Sequence, residues 1–147
     1  MSYKKFSLML LISFMIMYAV MFLNITQVDY FYVSTTRIYM ALLMISPMAV
    51  VMMLMMGKMY PNKKLNTGII VSAIAVFIIT LAGLRTQTPI GDVQYMKAMI
   101  PHHSSAILTS ENANIKDPEV RKLADGIIEA QKREIAEMKA LIQKLRK

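Results

Sequence analysis

Asp92-Val93-Gln94-Tyr95-Met96-Lys97-Ala98-Met99-Ile100-Pro101-His102-His103 holds both histidines of the 147-residue chain. It also holds two of the three methionines that lie after residue 84. At about 100° per residue on a helix, Asp92, Met96, Met99 and His103 share one narrow stripe and His102 falls to its flank. A carboxylate, two thioethers and an imidazole on one face form a ligand set for a soft or borderline metal ion, copper(I) above all. The plainer alternative is that the methionines are core residues and the histidines are polar surface groups or satisfied core groups.

What precedes this stretch sets its surroundings. Residues 1–84 contain three long apolar runs, whereas residues 85–147 are charged and helical in pattern. The first run covers about residues 6–25, the second about 38–56 with Pro47 inside it, and the third about 67–84. Twenty residues at 1.5 Å each reach roughly 30 Å, the thickness of a hydrocarbon core. A signal peptide would have a shorter apolar region followed by a small-x-small cleavage site, so the first run reads as a retained span. The expected fold is all-α: a membrane domain over 1–84 and a helical hairpin over 85–147.

Charge sets the expected orientation. Lys4 and Lys5 precede the first span and Lys58, Lys63 and Lys64 follow the second, whereas the intervening loop has Arg37 offset by Asp29. Short basic loops stay on the cytoplasmic side. The N-terminus is thus expected on the cytoplasmic side and the hairpin on the outer side of the membrane. The formal charge of +8 divides into +5 over residues 1–84 and +3 over residues 85–147. Most of it flanks spans, and the remainder is mixed with acids, so nucleic acid is not an expected partner. The chain has no cysteine, which leaves thiolate chemistry out. Among its sixteen methionines, Met40, Met44, Met48, Met52 and Met56 recur every four residues along the second span. The spacing fits either a thioether ladder for a soft cation or ordinary packing by a flexible side chain, and the latter is the simpler account.

After a polar link ending near Gly91, helix is expected through Pro101, which should bend or restart it, and on to about Ala113. Asp117-Pro118-Glu119 is a helix start, with a capping side chain, proline at the first position and an acid in the first turn. The final helix has an apolar seam of Val120, Leu123, Ile127, Met138, Leu141 and Leu145, flanked by Ala124, Ile128, Ile135 and Ile142. Gln131 and Glu134 interrupt it. A carboxylate buried in such a seam is costly unless paired or bound to metal. Gln131, Glu134 and Met138 are therefore expected to form the wall opposite Met96, Met99 and His103, with Glu134 as an ion-pair partner of Lys97 or a snorkelling surface acid as the alternative.

Residues 95–107 and 117–139, with the paired motifs Met99-x-x-His102-His103-x-x-Ala106 and Gln131-x-x-Glu134-Ile135-x-x-Met138, resemble the CopM-like family of bacterial extracytoplasmic proteins. The three-span N-terminus resembles its membrane-anchored branch. The resemblance implies a ferritin-like helical bundle that binds copper or silver through His and Met and serves metal tolerance. It supports Met96, Met99, His102, His103, Glu134 and Met138 as ligands. The chain departs from the pattern in having one hairpin, in Leu108-Thr109-Ser110 where a further Met is common, and in Tyr30 where the anchored branch often has His. A single hairpin buries little apolar surface, so two copies are expected to pair into a four-helix bundle, or the hairpin to dock on the spans.

The expected function is therefore capture of copper(I), or silver(I), for sequestration, tolerance or delivery, with the lipid bilayer, a second copy and a copper transporter or chaperone as partners. The rival is a helical oligomerisation or partner-binding module with no metal role. A di-iron enzyme would need a Glu-x-x-His motif on facing helices, which the sequence lacks, so no enzymatic activity is expected.

Overall fold

A computed structural model describes residues 2–146. Among them the regular structure is helical, with no strand: α1 (Tyr3–Val20), α2 (Thr35–Met56), α3 (Lys63–Thr86), α4 (Asp92–Asn112) and α5 (Pro118–Leu145). Short 3-10 turns at Val28–Tyr30 and Gly57–Met59 punctuate the α1–α2 and α2–α3 connections. The chain divides into two compact units. One contains α1, α2 from Thr36 onward, and α3 with the link that follows it as far as Pro89; the other joins the Phe22–Thr35 segment to the chain from Ile90 onward.

In the first unit, α1, α2 with its 3-10 turn, and α3 are each long and apolar enough to cross a membrane. They bury a modest core of Phe6, Ala49, Met53, Tyr60 and Ala73. Much of their remaining apolar surface, including Leu8, Leu11, Ile12, Val71, Ile78 and Ile79, faces outward, as lipid-facing helices require. At one end the Tyr3 hydroxyl donates to Asn66 Oδ1 at 2.8 Å, and Asn66 Nδ2 donates to the carbonyls of Gly57 and Tyr60. At the other the Tyr39 hydroxyl donates to the Thr88 carbonyl at 2.8 Å. The Tyr39 ring lies so close to Gly83 that an added Cβ there would come within 3.1 Å of it. The methionine ladder divides: Met52 and Met56 pack against the core, while Met40 and Met44 are exposed, a distribution that fits packing. Helix α2 runs unbroken through Pro47.

The first helix ends at Val20, short of the expected 25, and begins three residues earlier. The cause is Phe22, whose buried ring lies 4.1 Å from that of Phe31 and belongs to the second unit. Extending the helix through Phe22 would withdraw that ring. The second and third spans are longer than expected by a few residues at their ends.

The second unit is an α4–α5 hairpin with the 22–35 segment laid against it. Asp117 Oδ1 accepts from the amides of Glu119 and Val120 at 2.9 and 3.0 Å, satisfying two donors that a helix start leaves open. Helix α4 begins at Asp92, just after the expected link, and does not restart at Pro101; it is continuous through the proline, which is buried. Its core is Met96, Ile100, Ile107, Ile135 and Ile142, with Tyr30, Tyr32, Ile128 and Met138 packed against it. Each such aliphatic burial contributes about 1.5–3 kcal/mol.

One expectation about α5 is corrected. The residues facing α4 are those read as flanks, Ala124, Ile128, Ile135 and Ile142, whereas Val120, Leu123, Ile127, Leu141 and Leu145 are exposed. The two sets lie on adjacent stripes of the helix, about 40° apart from edge to edge and about 90° from centre to centre at 100° per residue. Two helices alone can cover only one of them.

Candidate metal centre

Helix α4 presents Met96 and His103 two turns apart on one side, and α5 presents Glu134 and Met138 one turn apart across from them. All four line an open cavity of about 590 Å³. Asp92, Tyr95, Glu137, Leu141, Lys144 and Leu145 complete its walls. Of these, Met96 is buried and Met138 half-buried, whereas Tyr95, Leu141, Leu145 and the three carboxylates are exposed.

His103 Nδ1 lies 3.0 Å from Glu134 Oε2. The contact is close, yet it lies off the line of a hydrogen bond and leaves Nδ1 buried without a hydrogen-bonding partner. Desolvation pushes the His103 pKa below its ordinary 6.5; the Glu134 carboxylate opposes this and the neighbouring His102 adds to it. The neutral imidazole, the form that binds metal, is favoured.

The remaining candidates are placed differently. His102 is exposed on α4, its ring centroid 6.2 Å from that of His103, and it does not line the cavity. Met99 is half-buried and is neither a wall of the cavity nor part of the buried cluster. Gln131, expected beside Glu134, is half-buried outside the lining. Glu134 is not enclosed in a seam: its side chain is 51 % exposed, because the stripe carrying it is the uncovered one. Its partner is His103, not Lys97. Among the described residues no three His, Asp or Glu side chains gather to hold a metal ion. The potential donors lining the cavity are two thioethers, one imidazole and the carboxylates of Asp92, Glu134 and Glu137, a mixture of soft and hard ligand types.

The far side of the hairpin is occupied by the 22–35 segment, a part of the site's support that the sequence reading did not include. Thr26 N–H donates to Ser104 Oγ at 2.7 Å, and the two hydroxyls lie 2.9 Å apart. Asn24 Nδ2 donates to Ser105 Oγ at 2.6 Å, and the Thr35 amide to Gln94 Oε1 at 3.2 Å. Lys139 pairs with Asp29 and lies 4.9 Å over the Tyr30 ring. Tyr30 and Tyr32 thereby press on the cluster that contains Met96 and Met138. The one signal in the sequence is three aromatics in a short loop, Tyr30, Phe31 and Tyr32, a pattern that equally suits the headgroup layer of a membrane.

Residues 80–147, which include all of α4 and α5, match the family described as "Domain of unknown function (DUF305)". An uncharacterized protein of Acanthamoeba polyphaga mimivirus is 38 % identical over 106 residues, 71 % of this chain and 68 % of that protein. The chain belongs to the DUF305 family. The likeness to the viral protein is longer than the hairpin, so it reaches into the preceding helices. No solved structure matches the chain.

Proposed function

We propose that this DUF305 protein is a membrane-anchored metal-binding protein that captures copper(I), or silver(I), for sequestration, tolerance or delivery. The carrying observation is the convergence of Met96, His103, Glu134 and Met138 on one open cavity, with a buried imidazole nitrogen lacking a hydrogen-bond partner. Thioethers bind soft cations and discriminate against calcium and magnesium. Met96, Met138 and His103 would hold the ion; Glu134 would ligate it or orient the imidazole from outside the ligand set. The motif pair that resembles the CopM-like family supports the same reading.

The site binds and releases; it is not assigned an enzymatic step. The proposed setting is a bacterial inner membrane with the N-terminus in the cytoplasm and the hairpin in the periplasm, supported by the three apolar helices and the Lys asymmetry of the loops. The proposed partners are the lipid bilayer, a second copy of the chain, and a copper transporter or chaperone that receives the ion.

The test is copper(I) titration of the full chain in detergent against a competing chelator. His103→Ala and Met138→Ala should each weaken binding at least tenfold. His102→Ala, exposed and outside the cavity, should have a smaller effect. Equal affinity in all four proteins would remove the reading.

A further inference from the structure

The uncovered stripe on α5 has an internal symmetry that points to what covers it. Val120, Leu123, Ile127, Leu141 and Leu145 are 49 %, 65 %, 37 %, 40 % and 53 % exposed, and with Met138 they lie within about 60° of arc at 100° per residue. Their positions mirror about the point between Lys132 and Arg133. Val120 is as far before that point as Leu145 is after it; Ile127 mirrors Met138, Gln131 mirrors Glu134, and Leu123 mirrors Leu141 to within one residue. A two-fold interface must match its own reverse, residue i meeting j and j meeting i. A partner of unrelated sequence imposes no such condition.

We propose that the open face of the hairpin is a self-association surface, on which α5 of a second copy lies antiparallel to α5 of the first, crossing at Lys132–Arg133. Val120 of one copy then packs on Leu145 of the other, Ile127 on Met138, and Gln131 beside Glu134. Glu119 falls within reach of Lys144 of the second copy. The 22–35 segment already covers the opposite side of the hairpin, so the pair closes the side that remains. An anionic lipid surface is a poorer occupant, because the cavity is lined by three carboxylates, Asp92, Glu134 and Glu137, against the single ammonium of Lys144, a balance it would repel.

The arrangement has a consequence for the candidate metal centre. Glu134 lies next to the crossing point, so Glu134 and Gln131 of the second copy stand beside each His103–Glu134 pair and the two sites become neighbours. The association itself does not depend on the copper reading; only this consequence does.

The test uses the full chain in detergent with chelator present, so that failure of metal binding leaves the result readable. The chain lacks cysteine, so single introduced thiols report without background. Val120→Cys and Leu145→Cys are made separately, co-expressed and treated with a short bismaleimide. Antiparallel pairing predicts a cross-linked species containing one of each. Neither variant alone should cross-link, because residues 120 and 145 are about 37 Å apart along a helix. As a second measurement, Leu123→Asp changes a side chain that makes little contact within one copy and should convert a two-chain species to a one-chain species by light scattering. Self-cross-linking of Val120→Cys, or a single-chain mass for the wild type at all concentrations, would overturn the proposal.

Discussion

Ser104→Ala is predicted to free the 22–35 segment from the hairpin without unfolding α4 or α5. Ser104 is fully enclosed, and its hydroxyl engages both the amide and the hydroxyl of Thr26 at 2.7 and 2.9 Å. Alanine fills the space but offers no acceptor. Stranding a buried donor costs about 1–3 kcal/mol; Thr26 is only half-buried, so water recovers part of this and about 1–2 kcal/mol remains. At 1.4 kcal/mol per factor of ten, the Thr26 amide should exchange with deuterium about 5–30-fold faster. Hydrogen exchange on the full chain in detergent reads this directly, with the α5 core amides as the internal reference. Ser105→Ala removes only an exposed contact with Asn24 and should change stability by less than about 0.5 kcal/mol. Equal Thr26 protection in the wild type and Ser104→Ala would refute the idea that this contact fastens the segment.

Ile100→Ala empties the centre of the hairpin cluster, where Ile100 is 0 % exposed, and should cost about 2–5 kcal/mol, seen as a lower midpoint of helix loss by circular dichroism. The Lys139 pKa is raised above 10.5, chiefly by its hydrogen bond to Asp29. Its folded-state value lies above the unfolded one, so the pair's contribution is complete below about pH 10.5 and disappears as the pH climbs through the raised value. The pair is solvated, so Asp29→Asn should lower stability by about 0.2–1 kcal/mol at neutral pH. That difference from wild type should vanish in strong alkali, measured as unfolding midpoints across pH.

The helical elements were legible because each carries a signal of its own. Three apolar runs of span length are separated by polar segments, and Asp117-Pro118-Glu119 marks a helix start that the structure reproduces at the two capped amides. Which stripe of α5 meets α4 was not legible. The helix is apolar over an arc wide enough for two neighbours, and hydropathy cannot say which half one neighbour takes. Glu134 followed from that ambiguity: on the covered stripe it would be buried, and on the open one it is a half-exposed partner of His103. Docking of the 22–35 segment was invisible for a different reason. Asn24, Thr26 and Asp29 hold it through single polar contacts, which leave no periodic trace in a sequence. Of the proposed donors, Met96, His103, Glu134 and Met138 converge because their spacings of seven and four residues keep each pair on one helical face, while His102 is turned aside by the same geometry.

The central claim concerns which atoms hold the ion, and X-ray absorption at the copper edge tests it most directly. The full chain loaded with copper(I) should show sulfur scatterers together with at least one nitrogen or oxygen scatterer, and the sulfur signal should fall when Met96 and Met138 are both replaced by leucine. A first shell made of nitrogen and oxygen alone, or one unchanged by losing both thioethers, would contradict the assignment of this cavity as a soft-metal site.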